Sequence, residues 1–429
     1  MTAGETGTAG LAGAAGTAGA AGTSGAAGTS GAAGTERTAG AARVPEVHVL
    51  TPGDHFSPRT GSAIPTVVDG LCAALPEGTV PRPRVVVADG TYPDRYASAD
   101  PVGYPLVTAR PADRYLDALA GRLDLPRPGV RRTLRPTLAD QDAWPAGVVL
   151  AHNAPQLVPL VHDRHAAVLY AHNLLLRTYS VKEADRVLGR AAAVVCVSGA
   201  LAEQTAAHLP AALRGRLRVV PNGVDTARFS PRADPARAER LRVVFVGRMI
   251  RDKGADVLLD AVARLARDDI ELTLVGSQNF DAGATPSPYE RDLAARAAAL
   301  GDRVRLLPFT PRAEVADVYR RADVVVVPSR WAEPFALTVM EGMASGVPVV
   351  ASAIGGIPEV MGDAGVPVRP DDPADLAAAL EALADDEALR RRIGKTCRKW
   401  ALAHDWAWSR GRLDAVLTEV AGVSPTPVG

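Results

Sequence analysis

Short runs that are apolar on both faces recur along this chain, and a segment with helical spacing follows each. Val243-Val-Phe-Val246 and Val324-Val-Val-Val327 leave no side for water, so strands built from them need helices above and below, as in parallel sheets. Similar runs stand at residues 47–51, 84–88, 147–151, 166–171 and 192–197. A second series stands at 217–220, 242–246, 270–275, 303–306, 323–327 and 347–351. Intervening segments such as 256–267, 290–300 and 313–320 are long enough for crossover helices. The pattern predicts an α/β chain of two doubly wound, Rossmann-like parallel-sheet domains. The break falls in the Pro-rich stretch 210–235, and a ligand cleft is expected between the domains.

Composition excludes several classes. Lys+Arg and Asp+Glu balance at 48 each, so there is no basic excess for nucleic acid or an anionic membrane. Cys72, Cys196 and Cys397 are far apart, which excludes a disulfide scaffold and a Cys-based zinc site. No run is apolar and long enough for a transmembrane helix, and the start lacks the charge-then-apolar pattern of a secretory signal. A cytoplasmic enzyme is the expectation. From Gly4 to Gly34 every third residue is Gly, but without Pro this period lacks the stiffness of collagen. Residues 1–42 are therefore read as a disordered tail with too little apolar side chain to offset ordering.

Two phosphate-binding signatures are missing: no G-x-G occurs, and no G-x-x-x-x-G-K-[ST] loop. Asp140-Gln-Asp142 precedes Trp144-Pro145 with no strand leading into it, and reads as a polar loop rather than a metal site. The second domain is richer. Strand 243–246 runs into Gly247-Arg248-Met-Ile-Arg-Asp-Lys253-Gly254, at the sheet edge where ligands bind. Arg248 and Lys253 can both reach a diphosphate there, helped by a helix N-terminus. Another strand leads into Pro328-Ser329-Arg330-Trp331-Ala332-Glu333-Pro334-Phe335-Ala336-Leu337, with Glu341 eight residues after Glu333. Pro334 suits a first helical position, which places Glu333 at the helix mouth and Glu341 two turns in, roughly 12 Å along the axis. That is the reach of a sugar nucleotide from hexose to ribose, with free amides of Phe335, Ala336 and Leu337 facing the phosphates between.

Glu333-Pro-Phe-x-Leu-x-x-x-Glu341, Gly346-x-Pro348-Val-Val-Ala351 and Gly355-Gly356-x-Pro358-Glu359 resemble the signature of retaining glycosyltransferases of family 4. Val220-Pro-Asn-Gly-Val-Asp225-x-x-x-Phe229, Phe245-Val-Gly-Arg-x-x-x-x-Lys-Gly254 and Ala322-Asp-Val-Val-Val-Val-Pro-Ser329 match it in the same order. The resemblance spans roughly residues 44–421 and implies a GT-B fold. The acceptor domain would be 43–222, the donor nucleotide-sugar domain 223–402, and 403–421 a last helix crossing back to the first. It implies that Arg248 and Lys253 neutralise the diphosphate without a metal or other cofactor. Glu341 would hold the ribose, and Glu333 would contact the donor sugar. His172, in Leu169-Tyr-Ala-His-Asn173, matches a histidine facing the donor hexose; a capped strand-end histidine is the plainer alternative. His152, in a similar Ala-His-Asn, is the weaker candidate, either lining the acceptor side or structural.

The first loop departs from the family's usual Gly-Gly pair. Gly61 keeps the close backbone approach, but Ser62 puts a side chain at the second place. Pro308 also stands where the base-flanking loop often has Gly. The stretch 58–66 resembles members that glycosylate 2-deoxystreptamine in aminoglycoside antibiotic biosynthesis. That resemblance implies transfer of N-acetylglucosamine or glucose from a UDP-sugar to an aminocyclitol hydroxyl. Its ammonium groups demand carboxylates, for which Asp54 is the nearest candidate. An inositol, lipid or other sugar acceptor is the alternative, as are a GT-B-like sugar-nucleotide epimerase and a non-catalytic sugar-nucleotide-binding module. Residues 43–222 hold 20 Lys/Arg against 16 Asp/Glu, too small a bias to point to a membrane-bound acceptor.

Overall fold

The computed structural model describes residues 43–233, 239–265, 267–279 and 285–422. The expected tail at 1–42 lies outside them. The first sheet holds β1 (Glu46–Val49), β2 (Arg84–Ala88), β3 (Asp100–Tyr104), β4 (Val148–His152), β5 (Ala166–Ala171), β6 (Ala193–Cys196) and β7 (Leu217–Val219). Their order is β3-β2-β1-β4-β5-β6-β7. The second holds β8 (Leu241–Val246), β9 (Ile270–Val275), β10 (Val304–Leu307), β11 (Val324–Val327), β12 (Val349–Ser352) and β13 (Val366–Val368), in the order β10-β9-β8-β11-β12-β13. Every pairing in both sheets is parallel. The central strands β4 and β11 are buried along their whole length, the consequence of helices on both faces.

Strand order reverses between β1 and β4 in the first sheet and between β8 and β11 in the second. These switch points open crevices at the carboxyl ends of the strands, where ligands sit in doubly wound sheets. Two strands, β3 and β13, are absent from the sequence reading. Asp100-Pro-Val-Gly-Tyr104 and Val366-Pro-Val368 each carry a Pro. Both are edge strands, the one place a residue without an N–H is tolerated in a ladder.

The last helix, Trp406–Ala421, is capped by Asp405, whose Oδ1 accepts from the Trp408 amide at 2.8 Å. It lies against the first sheet's helix Ala63–Ala73, where Gly70 makes room: a Cβ there would come within 2.2 Å of the Trp406 ring. From the same helix Arg410 bonds both oxygens of Glu46 on β1 at 2.8 Å. No helix among the described residues is long and apolar enough to cross a membrane.

Candidate active site

The two sheets line one cleft of about 480 Å³, in which residues of both meet. The second sheet's wall is built from loops that leave β8 and β11. After β8 the chain passes Gly247 and Arg248 to Gly254, which caps the helix Ala255–Arg264 at φ 71°. Only glycine fits: a Cβ would lie 1.9 Å from the Pro328 carbonyl oxygen. This contact seats the Lys253 loop on the end of β11. Lys253 Nζ then meets Glu333 Oε1 at 2.5 Å, and Ser329 Oγ donates to the same oxygen at 2.7 Å. The Lys253 ammonium also lies 5.7 Å from the centre of the Trp331 ring, a cation–π arrangement. Arg248 is exposed in the cleft wall.

The helix after Glu333 starts later than the sequence reading placed it. It spans Leu337–Ala344, and its cap is Ala336 at φ 67°. A left-handed Ala interrupts the helical path, so Pro334 is not its first residue and Glu333 stands on a non-helical segment above the helix mouth. That segment is held by Gly355 and Gly356. A Cβ on Gly355 would be 2.5 Å from the Glu333 carbonyl oxygen, and the Gly356 amide donates to that oxygen at 2.7 Å. Phe335, Ala336, Leu337 and Thr338 line the cleft, and first-turn amides have no intrahelical acceptor. Arg248 and Lys253 line the same wall, so cationic side chains and a helix N-terminus come together there.

Glu341, in the second turn, lies in the same cleft. Its Oε2 accepts from the Tyr319 hydroxyl at 3.4 Å, and Arg312 Nη2 stands 2.6 Å from Oε1. The Arg312 guanidinium thus compensates the Glu341 carboxylate and is itself held charged by it. Trp331 Nε1 and Asn222 Oδ1, on residues of the same cleft, are buried without a hydrogen-bond partner among the described residues. Unpaired buried polar atoms cost free energy, so these two are available to a polar ligand. Sequence reasoning does not single out Arg312, Asn222 or Trp331. Asn222 and Trp331 lie within the motif-bearing stretches, where their own role carries no separate signal, and Arg312 follows Pro311 at the start of the helix Arg312–Arg321.

The first sheet contributes Gly61, Ser62, His172 and Asn173. Ser62 opens the helix Ala63–Ala73 but donates its hydroxyl to Asp54 Oδ1 at 3.2 Å instead of capping the helix. Asp54 thus sits behind Ser62 and is not part of the cleft lining. Burial raises its carboxyl above the usual value, against the lowering effect of Ser62 and Thr51. His152 does not line the acceptor side either. It is wholly buried, its Nδ1 2.8 Å from His172 Nε2 and its Nε2 2.9 Å from His48 Nδ1. Burial, helped by His48, pushes His172 down to about 3, and His152 is lowered in the same way. His172 therefore faces the cleft as a neutral imidazole. Asp142 pairs with His162 at 2.7 Å on the surface, away from the cleft lining.

One more contact ties the cleft walls together. The Glu359 carboxylate accepts from the Gly199 and Ala200 amides at 2.7 and 2.6 Å. A second-sheet carboxylate thus meets the N-terminus of a first-sheet helix, Gly199–Ala206, where the helix dipole favours negative charge.

Comparison with known proteins agrees with this architecture. Residues 228–400 match the glycosyl transferases group 1 family, and residues 41–228 match Glycosyltransferase Family 4. D-inositol 3-phosphate glycosyltransferase of Streptosporangium roseum is 34% identical over 292 residues, 63% of this chain and 66% of that one. The Corynebacterium aurimucosum enzyme of the same name is 33% identical over 289 residues, covering 62% and 67%. The Corynebacterium kroppenstedtii one is 36% identical over 48% of this chain and 49% of that one. The chain thus spans about half to two thirds of the length of these relatives. Among solved structures, sucrose-phosphate synthase from Thermosynechococcus elongatus superposes with a TM-score of 0.69 at 22% identity, covering 89% of this chain and all of that one. Anabaena HepE in complex with UDP and glucose superposes with a TM-score of 0.64 at 19% identity, over 88% of this chain and all of that one. With its GT-B fold and both halves matched, the chain belongs to the glycosyltransferases of group 1 and family 4.

Proposed function

We propose that the protein transfers a hexose from a UDP-sugar, N-acetylglucosamine or glucose, to a hydroxyl of an inositol-type cyclitol, with retention at the anomeric carbon. One observation carries this reading: Lys253, Arg248 and the first-turn amides share a cleft with Glu333, Glu341 and the neutral His172. The cations and amides stabilise the departing diphosphate, where charge develops as the glycosidic bond breaks. No metal is required for that step, so a chelator leaves the rate unchanged. Glu341, held by Arg312 and Tyr319, keeps carboxylate lone pairs with which to accept from a ribose hydroxyl. The acids of the lining are Glu333 and Glu341, and Glu333 is committed to Lys253 and Ser329. With Glu341 paired to Arg312 and Tyr319, neither is free as a covalent nucleophile, which fits attack and departure on the same face of the sugar.

The acceptor reading shifts from the aminocyclitol to the inositol class. The relatives named above are D-inositol 3-phosphate glycosyltransferases. The first-sheet wall offers Gly61, Ser62, His172 and Asn173, neutral groups suited to hydroxyls, and no carboxylate to pair two ammonium groups. The test is mass spectrometry of products from UDP-sugars offered with inositol, D-inositol 3-phosphate and 2-deoxystreptamine. A hexose adduct on an inositol compound is expected. An adduct on 2-deoxystreptamine alone contradicts the acceptor reading, and donor turnover without any acceptor contradicts transfer.

A further inference from the structure

Strand register sets up a row of side chains that none of the motifs contains. His48 on β1 lies beside Leu150 on β4, and His152 is two residues further along. His152 lies beside Tyr170 on β5, and His172 is again two further. Cross-strand neighbours and residues two apart share a face, so Glu46, His48, His152 and His172 form a diagonal on one face of the first sheet. The diagonal climbs two residues per strand, from under the last helix to the cleft.

The contacts along it are continuous. Arg410 holds both oxygens of Glu46 at 2.8 Å, and Arg43 approaches Oε1 at 3.2 Å. Asp414 in turn bonds Arg410. His48 Nε2 stands 3.7 Å from Glu46 Oε1 and 3.9 Å from Cys72 Sγ. His48 Nδ1 is 2.9 Å from His152 Nε2, and His152 Nδ1 is 2.8 Å from His172 Nε2. Tyr170 stacks on both His152 and His172, with centroids at 4.9 and 4.8 Å. Only His172 reaches the cleft. Glu46, His48 and Cys72 also bring metal-binding side-chain types together, but the Arg410 guanidinium already compensates the carboxylate and opposes a further cation.

Each histidine pair shares one proton, so the row has two polarities when its members are neutral. If Nε2 carries the proton throughout, His48 points N–H at the carboxylate, His152 donates to His48, and His172 donates to His152. The reversed polarity aims a lone pair of His48 at a buried anion. Burial would raise the Glu46 carboxyl, yet His48 and the Arg410 guanidinium hold it well below the usual range, so that anion persists. In the interior such repulsion is weakly screened, and the partner of one ring nitrogen decides which nitrogen bears the proton.

We propose that Glu46, His48 and His152 are positioning residues that fix the tautomer of His172, so that its Nδ1 lone pair faces the cleft as acceptor for a sugar hydroxyl. This rests on the transferase reading only for the identity of that hydroxyl. The buried carboxylate acts through two imidazoles on a third, across the width of three strands.

The test is a long-range proton–nitrogen correlation spectrum of the full-length protein labelled with 15N-histidine, at pH 7 and without substrate. His48, His152 and His172, identified by single substitutions, are expected as Nε2–H tautomers. An Nδ1–H tautomer or an imidazolium at His172 overturns the proposal. Two variants add a functional reading. His48→Gln keeps one donor and one acceptor, and should retain the His172 signals and kcat/KM within about threefold. His48→Leu keeps neither; it should give two His172 tautomers and lose about tenfold in kcat/KM, as loss of a partner that orients a functional histidine does at metal sites. An unchanged His172 spectrum in His48→Leu overturns the proposal, and if that variant fails to fold the wild-type spectrum still decides. Because the spectrum needs no turnover, its result stands apart from the product assay.

Discussion

The two walls of the cleft are built in opposite ways. The second sheet delivers its groups in contiguous loops: Arg248 and Lys253 come from one, and Glu333 with the helix mouth from another. The first sheet delivers groups one strand at a time, with His48, His152 and His172 on three neighbouring strands or their ends. A contiguous loop places charge where charge develops. A row spread over strands instead sets the state of a single imidazole. The expected consequence is unequal sensitivity, with large losses from the second wall and smaller, tautomer-dependent ones from the first.

The largest effect is expected at Glu333 and Lys253. Each replaced by Ala should lower kcat by about 10²- to 10³-fold, the cost of removing one preorganised group facing developing charge. Because the two side chains touch at 2.5 Å, the double variant should lose much less than the product of the single losses. Multiplicative losses would show that they work separately.

Backbone closeness comes next. Gly355→Ala puts a Cβ 2.5 Å from the Glu333 carbonyl at φ 61°, and should cost about 1–3 kcal/mol in urea unfolding. Ala336, also left-handed at φ 67°, offers the converse: Ala336→Gly relieves that strain and should not reduce stability. A stability loss in Ala336→Gly larger than in Gly355→Ala would contradict the strain argument.

Glu341→Ala should raise the donor KM about tenfold with kcat nearly unchanged, if the ribose contact is equal in ground and transition states. A fall in kcat alone would move Glu341 into the chemistry.

Acid sensitivity probes the first wall. His172 is lowered to about 3 from 6.5, and His152 is lowered too. Below pH 6.5 the unfolded chain takes up protons that the folded one refuses, so stability falls as pH drops. The slope is about 1.4 kcal/mol per pH unit for each such histidine. Urea unfolding at pH 7, 6 and 5 should show this loss, reduced in His152→Asn; an unchanged slope in that variant would contradict a neutral buried row. The smallest effect is expected from Glu359→Gln. The amide oxygen still accepts from one of the Gly199 and Ala200 amides, while its NH2 faces the other, so one exposed hydrogen bond and the charge at a helix N-terminus are lost, about 1 kcal/mol.

The same contrast explains what the sequence disclosed. The central strands were legible because residues such as Val324-Val-Val-Val327 have no polar face. The edge strands at Asp100 and Val366 were not, since their Pro residues read as breaks. The Glu333 and Lys253 loops were legible because proximity in sequence is proximity in space. His152 was visible only as an ambiguous Ala-His-Asn, and His48 not at all. Glu46-Val-His48 does carry the period of two, but which strand lies beside β1 is a tertiary fact. The helix start at Leu337 was misjudged because Pro334 signals a first turn, whereas the left-handed Ala336 carries no signal.

Both walls of the cleft are expected to act on one sugar at one moment. A double-mutant cycle between His172→Asn and Glu333→Gln, read as kcat/KM with the saturating acceptor found in the product assay, tests it most directly. Residues that share a transition state should show a coupling of about 1 kcal/mol or more, whereas distant independent sites add to within about 0.5 kcal/mol. Additive losses would mean that His172 and Glu333 do not meet on the same substrate.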